Sequence, residues 1–139
     1  MATYPREEIE AAFLATRTAM DRHDFDAYTD FFTEDAIYIE HQLGTYLGRE
    51  SIRTWHVSAM KGREEWTFPT EWYVIERDRI ACKWLCRLPG TRPDGGYYEF
   101  AGFSTLVYAG NGLFSLQEDM YNMDETRAVM AEWMRGRSQ

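Results

Sequence analysis

A chain of 139 residues has the commonest size for one domain and is long enough to bury a core without disulfides or metal, so residues 1–139 are expected to form a single domain. A net charge of −8 excludes nucleic acid and anionic membrane as partners, since both are bound through clustered Lys and Arg. No apolar stretch approaches the ~18 residues of a membrane span and the start lacks a basic-then-apolar leader pattern, so the cytoplasm is the expected compartment.

Apolar residues (45%) and charged residues (27%) are at ordinary globular levels, but five Trp, nine Tyr and eight Phe exceed what a small core needs. Some of these rings are expected to line a cavity.

Pro5 reads as a helix start, with Glu7 and Glu8 at the positive dipole end. Ile9, Ala12, Phe13, Ala19 and Met20 follow at helical spacing, predicting a helix over about 5–21. Asp24 is placed to cap a shorter helix whose buried face is Phe25, Tyr28, Phe31 and Phe32. Thr33-Glu34-Asp35 breaks that pattern, and residues 36–41 alternate as a short β segment with Ala36, Tyr38 and Glu40 on one side. From Arg49 to Met60 the helical period returns, with Ile52, Trp55, Ala59 and Met60 on one stripe.

Four longer β segments follow, at 66–77, 79–88, 97–109 and 113–122. Their short connections, the Arg77-Asp78-Arg79 corner and Gly110-Asn111-Gly112 among them, predict an antiparallel meander. Asp124 is expected to cap a last helix carrying Val129, Met130, Trp133 and Met134. The fold class is therefore α+β. Cys82 and Cys86 lie four residues apart on one predicted strand, about 13 Å, too far for a disulfide. They are expected to be reduced core residues.

The order of elements, with "FFTEDAIYIEH", "GRESIRTW" and "GNGLFSLQEDMYN", resembles the nuclear transport factor 2-like superfamily and its SnoaL-like branch. The resemblance implies a cone in which N-terminal helices pack on a curved antiparallel sheet, with a C-terminal helix beside it. It implies a pocket for a small, often lipophilic molecule. Ketosteroid isomerases, by this alignment, place their proton-shuttling carboxylate at Glu40, and their phenol and protonated acid near Thr16 and near Phe103-Ser104. Epoxide hydrolases and polyketide cyclases place an acid/base Asp at Asp119, and the epoxide hydrolases a water-positioning Tyr at Tyr38. Their Arg-x-Asp pair is missing at Ala81-Cys82-Lys83-Trp84, which disfavours epoxide hydrolysis.

Beside that resemblance stand the residues themselves. Glu40 sits among Tyr38, Ile39 and Leu43, where desolvation would raise a carboxyl pKa toward neutrality. Gln117, Asp119 and Tyr121 share one strand face, so either Asp119 or its neighbour Glu118 points inward, not both. Asp119 and Glu40 are expected to approach the pocket from opposite walls. His56, on the apolar stripe beside Trp55, is a candidate proton shuttle or donor. His41 alternates away from Glu40, and Lys83 reads as an exposed strand lysine. Glu40, Asp119, Tyr38 and His56 are thus the catalytic candidates, with Phe13, Trp55, Gln117 and Tyr121 as substrate-binding residues.

No phosphate loop, Gly-x-Ser-x-Gly elbow or His-x-x-x-His pair occurs. The expectation is a cofactor-free, metal-free acid/base enzyme of isomerase, dehydratase or cyclase type, acting on a small lipophilic, cyclic molecule. The alternatives are a non-catalytic binding module or an interaction subunit of the same fold. Long strands with apolar outer faces also predict a homodimer through the sheet.

Overall fold

The computed structural model describes residues 4–137. Helix α1 (Arg6–Asp21) starts after Pro5, whose carbonyl accepts from the amides of Glu8 and Ile9. It buries Ile9, Ala12, Phe13, Thr16 and Ala19 along one stripe. The Asp24 side chain caps α2 (Phe25–Thr29) by accepting from the Ala27 amide at 3.0 Å. This helix ends earlier than the aromatic spacing predicts. Phe32 already opens strand β1 (Phe32–Glu40), and the polar break at Glu34-Asp35 is a register slip against the neighbouring strand.

Strand β2 (Gly44–Leu47), which the sequence reading missed, forms a hairpin with β1. Helix α3 (Arg49–Ala59) follows Gly48, whose φ of 90° lies in the left-handed region that glycine tolerates. The meander is β3 (Thr70–Glu76), β4 (Arg79–Thr91), β5 (Tyr97–Gly110) and β6 (Leu113–Tyr121). Residues 66–69, predicted as strand, contribute only a single bridge from Thr67 to Arg87, and Trp66 packs into a side cluster instead. Asn111 and Gly112, both at positive φ, close the last hairpin in the way an Asn-Gly pair favours. Helix α4 (Met123–Arg137) is capped not by Asp124 but by Asn122, whose Oδ1 accepts from the Glu125 amide at 3.0 Å. Asp124 instead sits in the first turn.

The six strands make one curved sheet in the order β2-β1-β6-β5-β4-β3. The meander is antiparallel as expected, but β1 joins β6 in parallel, so the sheet is mixed. That pairing matters for the site because it sets Glu40 directly beside Asp119. Irregular register in several pairs bends the sheet into a cone wall. The main core holds Ile9, Phe13, Phe32, Ile52, Ile80, Leu106 and Phe114, and a second cluster around Trp66, Leu88 and Tyr98 packs against Val129, Met130 and Trp133 of α4.

Candidate active site

Strand alternation builds the site. Row by row across the inner face, Cys82, Ser104, Asp119 and Glu40 stand side by side on β4, β5, β6 and β1. The adjacent row holds Ile80, Leu106, Gln117, Tyr38 and Tyr46, so in this row polar groups appear only from β6 onward. There a cavity of about 140 Å³ opens between the sheet and helices α1, α2 and α3.

Asp119, 9% exposed, is the most connected group. Its Oδ1 accepts from the Ser104 hydroxyl at 2.5 Å and from Gln117 Nε2 at 3.0 Å, and its Oδ2 accepts from the Tyr38 hydroxyl. Gln117 Nε2 also donates to the Tyr38 oxygen at 3.0 Å, and its Oε1 accepts from the Tyr28 hydroxyl. Trp84 Nε1 donates to Ser104 at 2.8 Å. The Trp84 indole lies over the backbone of Gly102, where a Cβ would fall 2.2 Å from its Cζ2. Only glycine permits that approach.

Burial pushes the Asp119 carboxyl above its ordinary value, opposed by the three hydrogen bonds and the nearby Arg17 charge. Burial, with the Asp119 charge behind it, raises Tyr38 well above the ordinary phenol range. Tyr28 is pushed up to about 12, again mainly by burial. Both phenols therefore stay protonated and act as donors.

Glu40, 5% exposed, is shielded inside the cone. Its Oε1 accepts from the Gln42 amide at 2.7 Å and its Oε2 from the Tyr121 hydroxyl at 2.8 Å. The expectation of opposite walls is corrected: Glu40 and Asp119 are neighbours on paired strands, because β1 lies against β6 and not across the cavity. The alternation holds, with Asp119 inward and Glu118 outward, where it meets His41 at 2.5 Å on the exposed face. Lys83 likewise points outward and pairs with Glu71 at 2.7 Å.

His56 lines the cavity with its ring stacked on Tyr28 at 4.9 Å, and its Nδ1 is buried with no hydrogen-bond partner among the described residues. Burial, helped by the Arg17 charge, lowers its pKa to about 4, so the ring is neutral at pH 7. Trp55 stacks on Tyr46 at 4.2 Å and meets Tyr38 edge-on, forming one wall. Phe13 is the exception among the proposed contacts. It is fully buried against Tyr73, outside the lining of this cavity, because the apolar stripe of α1 faces the core there.

Sequence reasoning missed Arg17, Tyr28, Ser104 and Trp84, all of which line the cavity. Ser104 alone carried a signal, lying where the isomerase pattern puts an acid. Cys82 and Cys86 are buried and unbridged, and burial raises both thiols. Among the described residues no cluster of three or more His, Cys, Asp or Glu is placed to hold a metal. No helix among them is long and apolar enough to cross a membrane.

The fold and this site define an NTF2-like cone with a polar-floored cavity. The chain belongs to the SnoaL-like domain family, which it matches over residues 11–115. None of the curated proteins compared with it matches. Among solved structures it is similar to a proposed SnoaL-like polyketide cyclase from Shewanella putrefaciens CN-32 (TM-score 0.75, 15% identity, covering 92% of this chain and 87% of that one). It is also similar to a protein of ketosteroid isomerase-like fold from Catenulispora acidiphila DSM 44928, in complex with trimethylamine (TM-score 0.68, 18% identity, covering 87% and 90%). A third is TerC, co-crystallized with polyporic acid (TM-score 0.68, 15% identity, covering 89% and 98%). At these identities the likeness is one of fold.

Proposed function

We propose that the protein is an acid/base enzyme that moves a proton on a small cyclic carbonyl compound, with Asp119 as the base. The observation that carries this reading is a buried carboxyl on the cavity floor, raised in pKa by burial and held in place by Ser104, Gln117 and Tyr38. A fixed carboxylate of raised pKa is a better base than a solvated one, and its fixed position lowers the cost of reaching the transition state.

In the proposed step a C–H bond beside the substrate carbonyl breaks and its proton forms an O–H bond on Asp119. The electron pair moves into the carbonyl as an enolate. Neutral His56, whose Nδ1 has no hydrogen-bond partner among the described residues, steadies that oxygen. The enolate then takes a proton at another carbon, expels a leaving group, or closes a ring, the three outcomes that isomerases, dehydratases and cyclases share. Glu40, tied to Tyr121 and also lining the cavity, is the second proton carrier.

A non-catalytic binder is the second reading, and one observation favours it: both Asp119 oxygens already accept hydrogen bonds from the protein. Exchange separates the two. Monocyclic ketones incubated with the protein in D2O should lose α-protons by NMR faster than in its absence, and Asp119→Asn should remove the acceleration. Binding of the ketones without any exchange leaves the second reading standing.

The protein is further proposed to pair with a second copy through the outer sheet face. Trp72, Phe103 and Met120 are 45%, 50% and 54% exposed, and the Trp72 and Phe103 rings lie 6.0 Å apart. Apolar surface of this kind on long strands is stabilised by cover.

A further inference from the structure

We infer that the cavity takes a monocyclic organic anion whose charged oxygen is bound by the guanidinium of Arg17. This rests on the cavity being the ligand site, as proposed above, and adds the size and charge of what enters it.

Size comes from the volume. About 140 Å³ is close to that of an engineered ~150 Å³ cavity that accommodates benzene, and below the ~300–1,000 Å³ of pockets for drug-sized ligands. One ring with a short substituent fills it, and a fused polycyclic molecule would have to project beyond it.

Charge comes from counting donors and acceptors. Each oxygen of Glu40 and of Asp119 already has a donor from the protein. Arg17 is different. Its Nε donates to Thr16 Oγ1 at 3.2 Å and its Nη2 reaches Tyr28 Oη only at 3.5 Å, and no carboxylate pairs with it among the described residues. A guanidinium carries five N–H donors, so most of this one's capacity is unused. By contrast Arg49, Arg53, Arg87 and Arg92 all hold carboxylates, while Arg63, the other guanidinium lining the cavity, holds none among the described residues and lies 4.7 Å over the Trp66 ring. A half-buried guanidinium left without an anion in a cavity wall is completed by an anion from outside.

Position fits the chemistry. The Arg17 guanidinium carbon lies 5.1 Å from the Phe13 ring centre and 5.8 Å from that of Tyr28. From Tyr28 the hydrogen bonds run to Gln117 and on to Asp119. A ring anchored at Arg17 and leaning on Trp55 therefore has its far carbons directed toward the Asp119 floor. Arg17 also borders a second pocket, of about 600 Å³, lined by Leu14, Trp72 and Tyr73, so the test must locate the probe.

Benzoate and its neutral isostere benzamide are titrated into the protein by calorimetry and two-dimensional NMR. Benzoate is expected to bind at least about tenfold tighter, the difference that a charge-assisted pair supplies. R17Q should abolish that preference. If R17Q does not fold, R17K, which keeps the charge but loses the planar fork, should weaken benzoate and spare benzamide. Shifts should map to Tyr38 and Trp55. Equal affinities, a preference that survives R17Q, no saturable binding of either probe, tighter binding of 2-naphthoate than benzoate, or shifts confined to Trp72 and Tyr73 would each overturn the inference. D119N keeps Arg17 and should keep the benzoate preference, so loss of proton exchange and loss of anion selectivity are separate failures.

Discussion

Around Ser104 and Asp119, strands β5 and β6 carry opposite chemistry on their two faces, and in the reverse of the usual sense. A half-buried sheet ordinarily turns apolar residues inward and polar ones to solvent. Here Ser104, Gln117 and Asp119 face in, while Phe103 and Met120, one residue away, face out and are half exposed. The inner polar row is tolerable because its members hydrogen-bond one another, and an unpaired member would cost roughly 1–3 kcal/mol. The outer apolar row has no such internal remedy. On the proposed reading each face is met by something, a ligand inside and a second copy of the chain outside.

Asp119→Asn is the largest expected break in that comparison. It keeps the shape of the inner row and removes its base, so proton-exchange activity should fall by about 10²–10⁴-fold. Sedimentation mass should not change, since the outer row is untouched. Retention of full exchange activity would falsify the assignment of Asp119 as the base. The mirror experiment, Trp72→Glu with Phe103→Glu, should halve the sedimenting mass if the outer face is the dimer contact. An unchanged mass would move the contact elsewhere.

Gly102→Ala sharpens the comparison from the packing side. The added Cβ would lie 2.2 Å from Trp84 Cζ2, so the indole must move and its bond to Ser104 is lost. Overpacking of this kind costs about 1–3 kcal/mol, readable by urea denaturation. Wild-type stability would show that the indole relocates freely and that Ser104 does not depend on it.

The inner face should also titrate. His56 has a folded pKa of about 4 against 6.5 when free. Between those values the unfolded chain binds the extra proton, so the His56 contribution is whole above pH 6.5 and is lost as pH falls toward 4. From pH 7.5 to 5.0 the loss is about 2 kcal/mol. Asp119, raised in the fold, works in the opposite sense: its contribution is whole below pH 3.8 and fades as pH rises through its folded value. The clean measurement is thus the difference between Asp119→Asn and the double variant Asp119→Asn, His56→Gln, which should change by that amount between the two pH values. A constant difference would place His56 in water.

Much of this contrast was legible in the sequence because alternation is local. The facing of Ala36, Tyr38 and Glu40, and of Gln117, Asp119 and Tyr121, follows from a period of two and holds in the structure. Pairing between distant strands does not follow from local pattern. The parallel contact of β1 with β6 brings together residues some eighty positions apart, and without it Glu40 was placed across the cavity and not beside Asp119. Helix positions suffered similarly. Phe13 and Arg17 are one turn apart on α1, yet Phe13 enters the core and Arg17 the cavity wall, a distinction set by how α1 lies on the sheet.

The smallest expected effect tests the alternation most directly. Glu118 and Asp119 are adjacent carboxylates on β6, one paired with His41 on the exposed face and one buried on the floor. The outer pair is only partly shielded from water, with side chains 40% and 33% exposed, so solvent screening limits its worth to about 0–1 kcal/mol. Glu118→Gln should therefore shift the melting temperature by a few degrees at most and leave proton exchange and benzoate selectivity at wild-type values. Asp119→Asn, the same chemical change one residue later, should abolish exchange. The contrast isolates direction from charge, because both substitutions remove one negative charge from the same strand. Equal losses from the two would mean that activity follows the overall field of the sheet edge and not the inward placement of one carboxyl.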